Sequence, residues 1–289
     1  MKILIPVSFL FLFILSSCSK SESGGSTGTT IAAKTMTNVS YGADPLQKMD
    51  IYLPENRSTA ATKVIILIHG GAWISGDKSD FTAELDTLKK RIPDYAIINI
   101  NYRLGNVVTL ANPFPTQEMD VKAAVEFIYG NRNDYLISDK FVLMGASAGG
   151  HLALLQAYKY LAPVKIKAVV DFFGPTDMAD MYNNPGAFSA ASIALLMSGT
   201  PTTNPTLYQQ SSPLTYATAT SCPTIILQGG LDPLVNAIRQ SEALKIKLTA
   251  AAAVNQYVYY PLGGHGGWDV ATNTDAFNKI QAFLAANVQ

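Results

Sequence analysis

From about residue 34 onward, apolar and polar positions alternate in two rhythms. Met49, Ile51 and Leu53 alternate with polar or amphipathic neighbours, the period of a half-buried strand, with residues 37–41 as its expected antiparallel partner. Residues 64–68 form a continuous aliphatic run, as expected of a strand covered on both faces. A helical stretch at 83–91 leads to a second apolar run at 95–100. Val121, Ala124, Val125 and Ile128 fall at i, i+3, i+4 and i+7, an amphipathic helix whose Lys122 and Glu126 face water. Residues 141–144, 166–170, 224–227 and 256–260 read as further buried strands, with helical segments at about 148–160 and 235–250. Ala276, Ile280, Phe283 and Leu284 give a last amphipathic helix. This alternation predicts an α/β fold with a mostly parallel sheet and helices on both faces. The stretch 174–221 is rich in Pro, Asn, Ser and Thr and is too long for a simple connection, so it is expected to cap a site.

The N-terminus follows neither rhythm. Lys2 precedes an apolar run broken only by Pro6 and Ser8, and Leu15-Ser16-Ser17-Cys18 follows. That pattern predicts a signal peptide over 1–17 and resembles a bacterial lipobox, in which Cys18 is lipidated. The plainer alternative is an ordinary signal peptide that contains a cysteine. Ten of the twelve residues 19–30 are Ser, Gly or Thr, so 18–33 reads as a flexible tether spanning about 20 Å. Residues 34–289 are then expected to form the folded domain, with its cap-like segment at about 175–221. The expected address is that of an exported bacterial lipoprotein, held to a membrane on its periplasmic or cell-surface face.

Composition narrows the function. Hydrophobic residues at 48% and charged residues at 15% exclude bulk disorder. Lys+Arg and Asp+Glu are both 21 with no basic cluster, which argues against a nucleic-acid partner. Two cysteines and three histidines supply neither a disulfide scaffold nor a Cys/His metal cluster, and no metal or organic cofactor is expected. With Cys18 in the tether, Cys222 is the one cysteine of the folded part. An enzyme or a small-molecule binder remains.

Three motifs sit at strand ends. Gly145-Ala146-Ser147-Ala148-Gly149 joins an expected strand to an expected helix, the context in which small residues let a nucleophilic Ser147 project above a sheet. A structural turn serine is the alternative. His69-Gly70-Gly71-Ala72-Trp73 follows strand 64–68, where the Gly71 and Ala72 amides, with that of Ala148, would hold an oxyanion. His69 reads as a loop-fixing hydrogen bonder, and His151, inside the helix after Ser147, as a packing or capping residue. That leaves His265, in a run of glycines, as general base. Asp232 is the preferred acid because Ser147, Asp232, His265 is the chain order of this architecture; Asp171 and Asp177 compete. Trp73 and Trp268 lie next to these loops. Trp268 is expected to contact substrate, whereas Trp73 either does so or packs under the oxyanion loop.

The chain resembles the α/β-hydrolases, and among them bacterial esterases related to hormone-sensitive lipase and to bifunctional feruloyl/acetyl-xylan esterases. The resemblance covers 37–289 and rests on Asp50-Ile51-Tyr52-Leu53-Pro54, the His69–Trp73 loop, Tyr102-Arg103, Ser147-Ala148-Gly149-Gly150-His151, Phe173-Gly174-Pro175-Thr176-Asp177, Asp232-Pro233 and the His265 loop. Ala72 stands where the lipase-like group usually has a third glycine, which favours the xylan-esterase-like branch. The resemblance implies an α/β-hydrolase fold and ester hydrolysis through an acyl-enzyme, on acetyl or feruloyl esters of carbohydrates or other short-chain esters. An amidase or peptidase on the same triad, and a non-catalytic binder of the same fold, are the alternatives.

Overall fold

Segments that are apolar on both faces are best accommodated between two layers, and the aliphatic runs accordingly form the middle of one sheet. The computed structural model describes Met1 and residues 30–289. The expected signal peptide, Cys18 and most of the tether lie outside the described residues. The strands are β1 (Lys34–Ser40), β2 (Lys48–Leu53), β3 (Lys63–Ile68), β4 (Tyr95–Ile100), β5 (Phe141–Ala146), β6 (Ala168–Phe172), β7 (Thr224–Gly229) and β8 (Asn255–Tyr260). Their order is β1-β2-β4-β3-β5-β6-β7-β8. β2 pairs antiparallel with β1 and β4, and every pairing from β4 through β8 is parallel. Every residue of β4 and β6 is buried, while β2 alternates.

Among the described residues ten α-helices accompany the sheet: α1 (Thr82–Arg91), α2 (Thr116–Gly130), α3 (Arg132–Tyr135), α4 (Ala148–Lys159), α5 (Met178–Asn183), α6 (Ala190–Leu196), α7 (Pro205–Gln210), α8 (Pro213–Tyr216), α9 (Ala243–Ala250) and α10 (Val270–Asn287). The pleat of β3 divides the core. Val64, Ile66 and Ile68 join a cluster with Val121 of α2, Leu152 of α4 and Leu244 of α9. Ile65 and Leu67 join Leu85 of α1 and Ile280 of α10 on the other face. This is the α/β-hydrolase arrangement the sequence predicts, with α5–α8 as the cap region. Among the described residues no helix is long and apolar enough to cross a membrane.

Several boundaries depart from expectation; β5 and β7 each run two residues further, to Ala146 and Gly229. β6 runs to Phe172 rather than ending at residue 170, because Asp171 continues the strand fully buried. The single helix expected at about 235–250 is a π-helical turn, Ile238–Glu242, followed by α9. The cap is helical, in pieces of four to seven residues.

Successive strands are laid down in opposite directions from β3: β4 lies on one side of it and β5 on the other. Such a reversal opens a crevice at the carboxyl ends of the strands, where ligands of open α/β sheets bind. The His69–Trp73 loop leaves β3 and Ser147 leaves β5, so both stand at that crevice.

Candidate active site

Ser147 forms the turn from β5 into α4, at φ 55 and ψ −120. A non-glycine residue in that region costs about 1–3 kcal/mol and persists only where its surroundings impose it. Here the Ser147 amide donates to the Phe172 carbonyl at 2.8 Å, and the Ser147 carbonyl accepts from the His151 amide at 3.0 Å. Gly149 lets α4 start this close to the sheet, since a Cβ there would overlap the Ile68 carbonyl oxygen. Ala148 opens the helix, so its amide has no intrahelical acceptor and stands at the positive end of the helix dipole.

The loop after β3 faces this turn. A Cβ on Gly70 would come within 3.4 Å of the Ser147 Cβ and 2.9 Å of the Ala146 carbonyl oxygen. The Gly70 carbonyl accepts from His69 Nδ1 at 2.8 Å and from the Tyr102 hydroxyl at 3.1 Å. The Gly71 carbonyl accepts from the Ile74 and Ser75 amides at 3.1 and 2.9 Å and from Ser75 Oγ at 2.9 Å. A trans peptide directs its N–H opposite to its C=O. Fastening both carbonyls into the loop therefore turns the Gly71 and Ala72 amides outward. Three consecutive residues hold positive φ there: Gly71 (100), Ala72 (52) and Trp73 (63).

Asp232 and His265 come from the ends of neighbouring β7 and β8. His265 Nδ1 lies 2.7 Å from Asp232 Oδ2, a charge-assisted hydrogen bond that leaves Nε2 as the basic nitrogen. Asp232 Oδ2 also accepts from Gln228 Nε2 at 3.1 Å, while Oδ1 accepts the Leu234 and Val235 amides at 2.8 and 2.9 Å. Burial works to raise this carboxyl. The His265 hydrogen bond, the Val235 amide, the His265 charge and the Leu234 amide outweigh it and hold the group below the usual carboxylate range. Gln228 is itself buried and braced by Ser241, whose hydroxyl donates to Gln228 Oε1 at 2.6 Å. The Phe173 ring lies 4.5 Å from the His265 ring, and Ser147 is bonded to the adjacent Phe172. Ser147 and His265 thus stand at one end of the sheet without a hydrogen bond between them; such bonds are often long in unliganded sites and tighten on binding.

The competing residues are committed elsewhere. Asp177 caps α5, accepting the Ala179 and Asp180 amides at 2.9 and 3.0 Å. Asp171 is fully buried, with Oδ1 accepting the Gly174 amide at 2.9 Å and Oδ2 unpartnered; burial pushes its carboxyl up to about 8. His69 stacks on Tyr102 at 4.2 Å, and burial lowers its imidazole below the ordinary value. Of the two roles open to Trp73, its burial matches packing under the oxyanion loop. It is 2% exposed, and its indole nitrogen donates to His151 Nδ1 at 3.1 Å. Trp268 is half-buried and donates to the Gly264 carbonyl at 3.0 Å. It lines two cavities flanking the His265 loop, one of about 590 Å³ with Tyr260 and Leu262, and one of about 210 Å³ with Phe172, Phe173 and Gly266. Sequence reasoning missed Gln228 and Tyr102 as braces. The signal for Gln228 was a polar residue closing an apolar strand.

The chain is similar to known proteins in sequence and in fold. The chain is 26% identical to Esterase LipC of Mycobacterium tuberculosis over 79% of its own length and 59% of that protein. Likeness to Esterase LipQ of the same organism is 27%, over 83% and 58%. The chain therefore spans just under three-fifths of these curated relatives. Among solved structures, a truncated carbohydrate esterase from gut microbiota superposes with TM-score 0.73 at 27% identity, covering 88% of this chain and 95% of that one. A bifunctional GH43-CE from Bacteroides eggerthii gives 0.77 at 29%, covering 88% and 35%. The BD-FAE family matches residues 49–248, more than half of the sequence, and the chain belongs to that family.

Proposed function

We propose that this chain is a serine esterase that hydrolyses carboxylic esters through an acyl-enzyme. The reading is carried by the 2.7 Å bond between His265 Nδ1 and Asp232 Oδ2 at the same sheet end as the strained Ser147 turn. In the proposed mechanism Ser147 Oγ attacks the ester carbonyl carbon while His265 Nε2 takes its proton. The carbonyl oxygen gains negative charge and is received by the amides of Gly71, Ala72 and Ala148. The tetrahedral species collapses with release of the alcohol, protonated by His265. Water, deprotonated by His265, then attacks the acyl-serine carbonyl; the bond to Ser147 Oγ breaks, His265 returns the proton to Oγ, and the acid leaves. Asp232, held by four donors, keeps a proton on His265 Nδ1 throughout.

A fluorophosphonate probe tests the reading. Labelling should map to Ser147, and Ser147→Ala should lose both labelling and about 10³-fold or more of kcat with thermal unfolding unchanged. Hydrolysis that survives in Ser147→Ala refutes the assignment.

For substrate we propose acetyl or feruloyl esters of carbohydrates, with Trp268 on the alcohol side. Supporting this are the half-buried Trp268 between two cavities and the likeness to a chain described as a carbohydrate esterase. Trp268→Ala should then lower kcat/KM for an acetylated xylo-oligosaccharide about tenfold more than for a minimal acetate ester. Equal losses would leave Trp268 only the task of bracing the His265 loop. We further propose that the chain is an exported lipoprotein anchored through Cys18, on the motif Leu15-Ser16-Ser17-Cys18 and the Ser/Gly/Thr tether.

A further inference from the structure

His151 is wholly buried four residues beyond Ser147, and the proposed mechanism does not use it. Its two ring nitrogens are both engaged. Trp73 Nε1 lies 3.1 Å from Nδ1, and an indole N–H can only donate, so Nδ1 carries a lone pair. The proton is therefore on Nε2, which donates to the Ser211 carbonyl at 2.7 Å. One partner lies in the oxyanion loop and the other in the cap, between α7 and α8. The Trp73 indole meets the imidazole edge-on at 5.1 Å, and Phe114 leans on it at 5.6 Å. Burial lowers the imidazole to about 4; the Ser211 bond opposes this and the Lys159 charge adds to it, so the ring is neutral at working pH.

The Gly71–Trp73 turn has need of such a fastening. Ala72 and Trp73 are non-glycine residues in left-handed backbone, a conformation that relaxes unless neighbours hold it. Trp73 is held at two points: its carbonyl accepts the Gly105 amide at 2.9 Å, and its indole is held by His151. The segment that carries Gly105 also reaches the cap, since the Phe114 amide donates to the Leu196 carbonyl of α6 at 2.8 Å.

We propose that His151 is a positioning residue that fixes the oxyanion loop to the cap, so that the Gly71 and Ala72 amides are aimed at the reaction centre only while α6–α8 are seated. The inference rests on the esterase reading above. It assigns the cap a part in transition-state stabilisation, in addition to covering the site.

The test uses side chains that keep or delete the two bonds. Glutamine supplies one acceptor and one donor; leucine supplies neither. His151→Leu should lower kcat by about tenfold or more with KM changed less than about twofold, because an oxyanion donor acts on the transition state rather than on bound substrate. His151→Gln should restore kcat to within about threefold of wild type. Trp73→Phe, which keeps the aromatic ring and loses the N–H, should reproduce the leucine phenotype. Equal kcat in the Leu and Gln variants, or a loss carried by KM alone, overturns the proposal. The unmutated protein gives a check that does not depend on any variant folding. In ¹⁵N-histidine and ¹⁵N-tryptophan spectra His151 should be the Nε2–H tautomer, and its signal and that of the Trp73 indole should both move when a phosphonate occupies Ser147. An Nδ1–H tautomer, or two unmoved signals, overturns it. Failure of the esterase reading looks different: the wild-type protein would then neither hydrolyse esters nor take the phosphonate.

Discussion

Replacing Asp171 by asparagine should stabilise the protein as the pH rises, although nothing is added to the fold. The carboxyl is fully buried at the end of β6, with one oxygen on the Gly174 amide and the other without a partner. Burial raises it from 3.8 to about 8, so the folded state binds its proton more tightly than the unfolded chain does. The contribution is therefore fully favourable below pH 3.8 and is lost as pH rises toward about 8. Between pH 5 and pH 8 the loss accumulates at about 1.4 kcal/mol per pH unit and levels off near the upper end, about 4 kcal/mol in all. Asparagine keeps the acceptor for Gly174 and does not titrate. Every other ionisable group is common to both proteins and cancels in the comparison. Urea unfolding of wild type and Asp171→Asn at several pH values should give stability curves that diverge by about 4 kcal/mol across this window, with asparagine higher at pH 8. In a domain of this size that is a difference of at least about 8 °C in Tm. Parallel curves would refute the reasoning. The variant should also keep its kcat, because Asp171 does not touch His265.

The other two acids should behave differently from Asp171 and from each other. Asp232→Asn should lower kcat by about 10⁴-fold through the wrong imidazole tautomer, whereas Asp177→Asn should cost about 1 kcal/mol of stability or less, as a weakened cap of α5, with activity kept. Gly149→Ala should prevent stable folding, since the added methyl overlaps the Ile68 carbonyl, and a soluble, active Gly149→Ala would show that α4 can shift away from β3. Cys18→Ala should move the protein from the membrane fraction to the soluble or unprocessed fraction while leaving hydrolysis intact; equal partitioning of mutant and wild type would remove the anchor.

What could be read in the chain depended on whether burial leaves a one-dimensional trace. β4 coincides with its expected bounds because all six residues, Tyr95–Ile100, are buried and nearly all are apolar. β6 was misplaced because Asp171 looks like a strand end, and only the third dimension shows that it is enclosed under Gly150 and Gly174. The cap helices are too short to display a helical period. The wide turn at Ile238–Glu242 is held by tertiary bonds from Gln240 to Thr176 and Asp177, which leave no local pattern. At the site, the glycines around Ser147, His69 and His265 advertised backbone turns that few sequences tolerate without reason. The His151–Trp73 pair escaped because its hydrogen bond joins residues far apart in the chain, and Gln228 because its partners Asp232, Val235 and Ser241 lie in a loop and turn that carry no periodic pattern. Trp73 shows the same limit: nearness in sequence to a reacting loop did not tell which way its ring would turn.

Among the described residues β8 lies at the edge of the sheet, bonded to β7 on one side only. The loop that follows it carries His265, while Ser147 follows β5, flanked by partners on both sides. Free energies of local opening are lowest at such margins and approach the global value in the interior. The base is thus mounted beside a margin of the sheet, and the nucleophile in its interior. On warming, hydrolysis should fall at a lower temperature than the far-ultraviolet signal of the sheet, as the pairing of β8 loosens before the centre gives way.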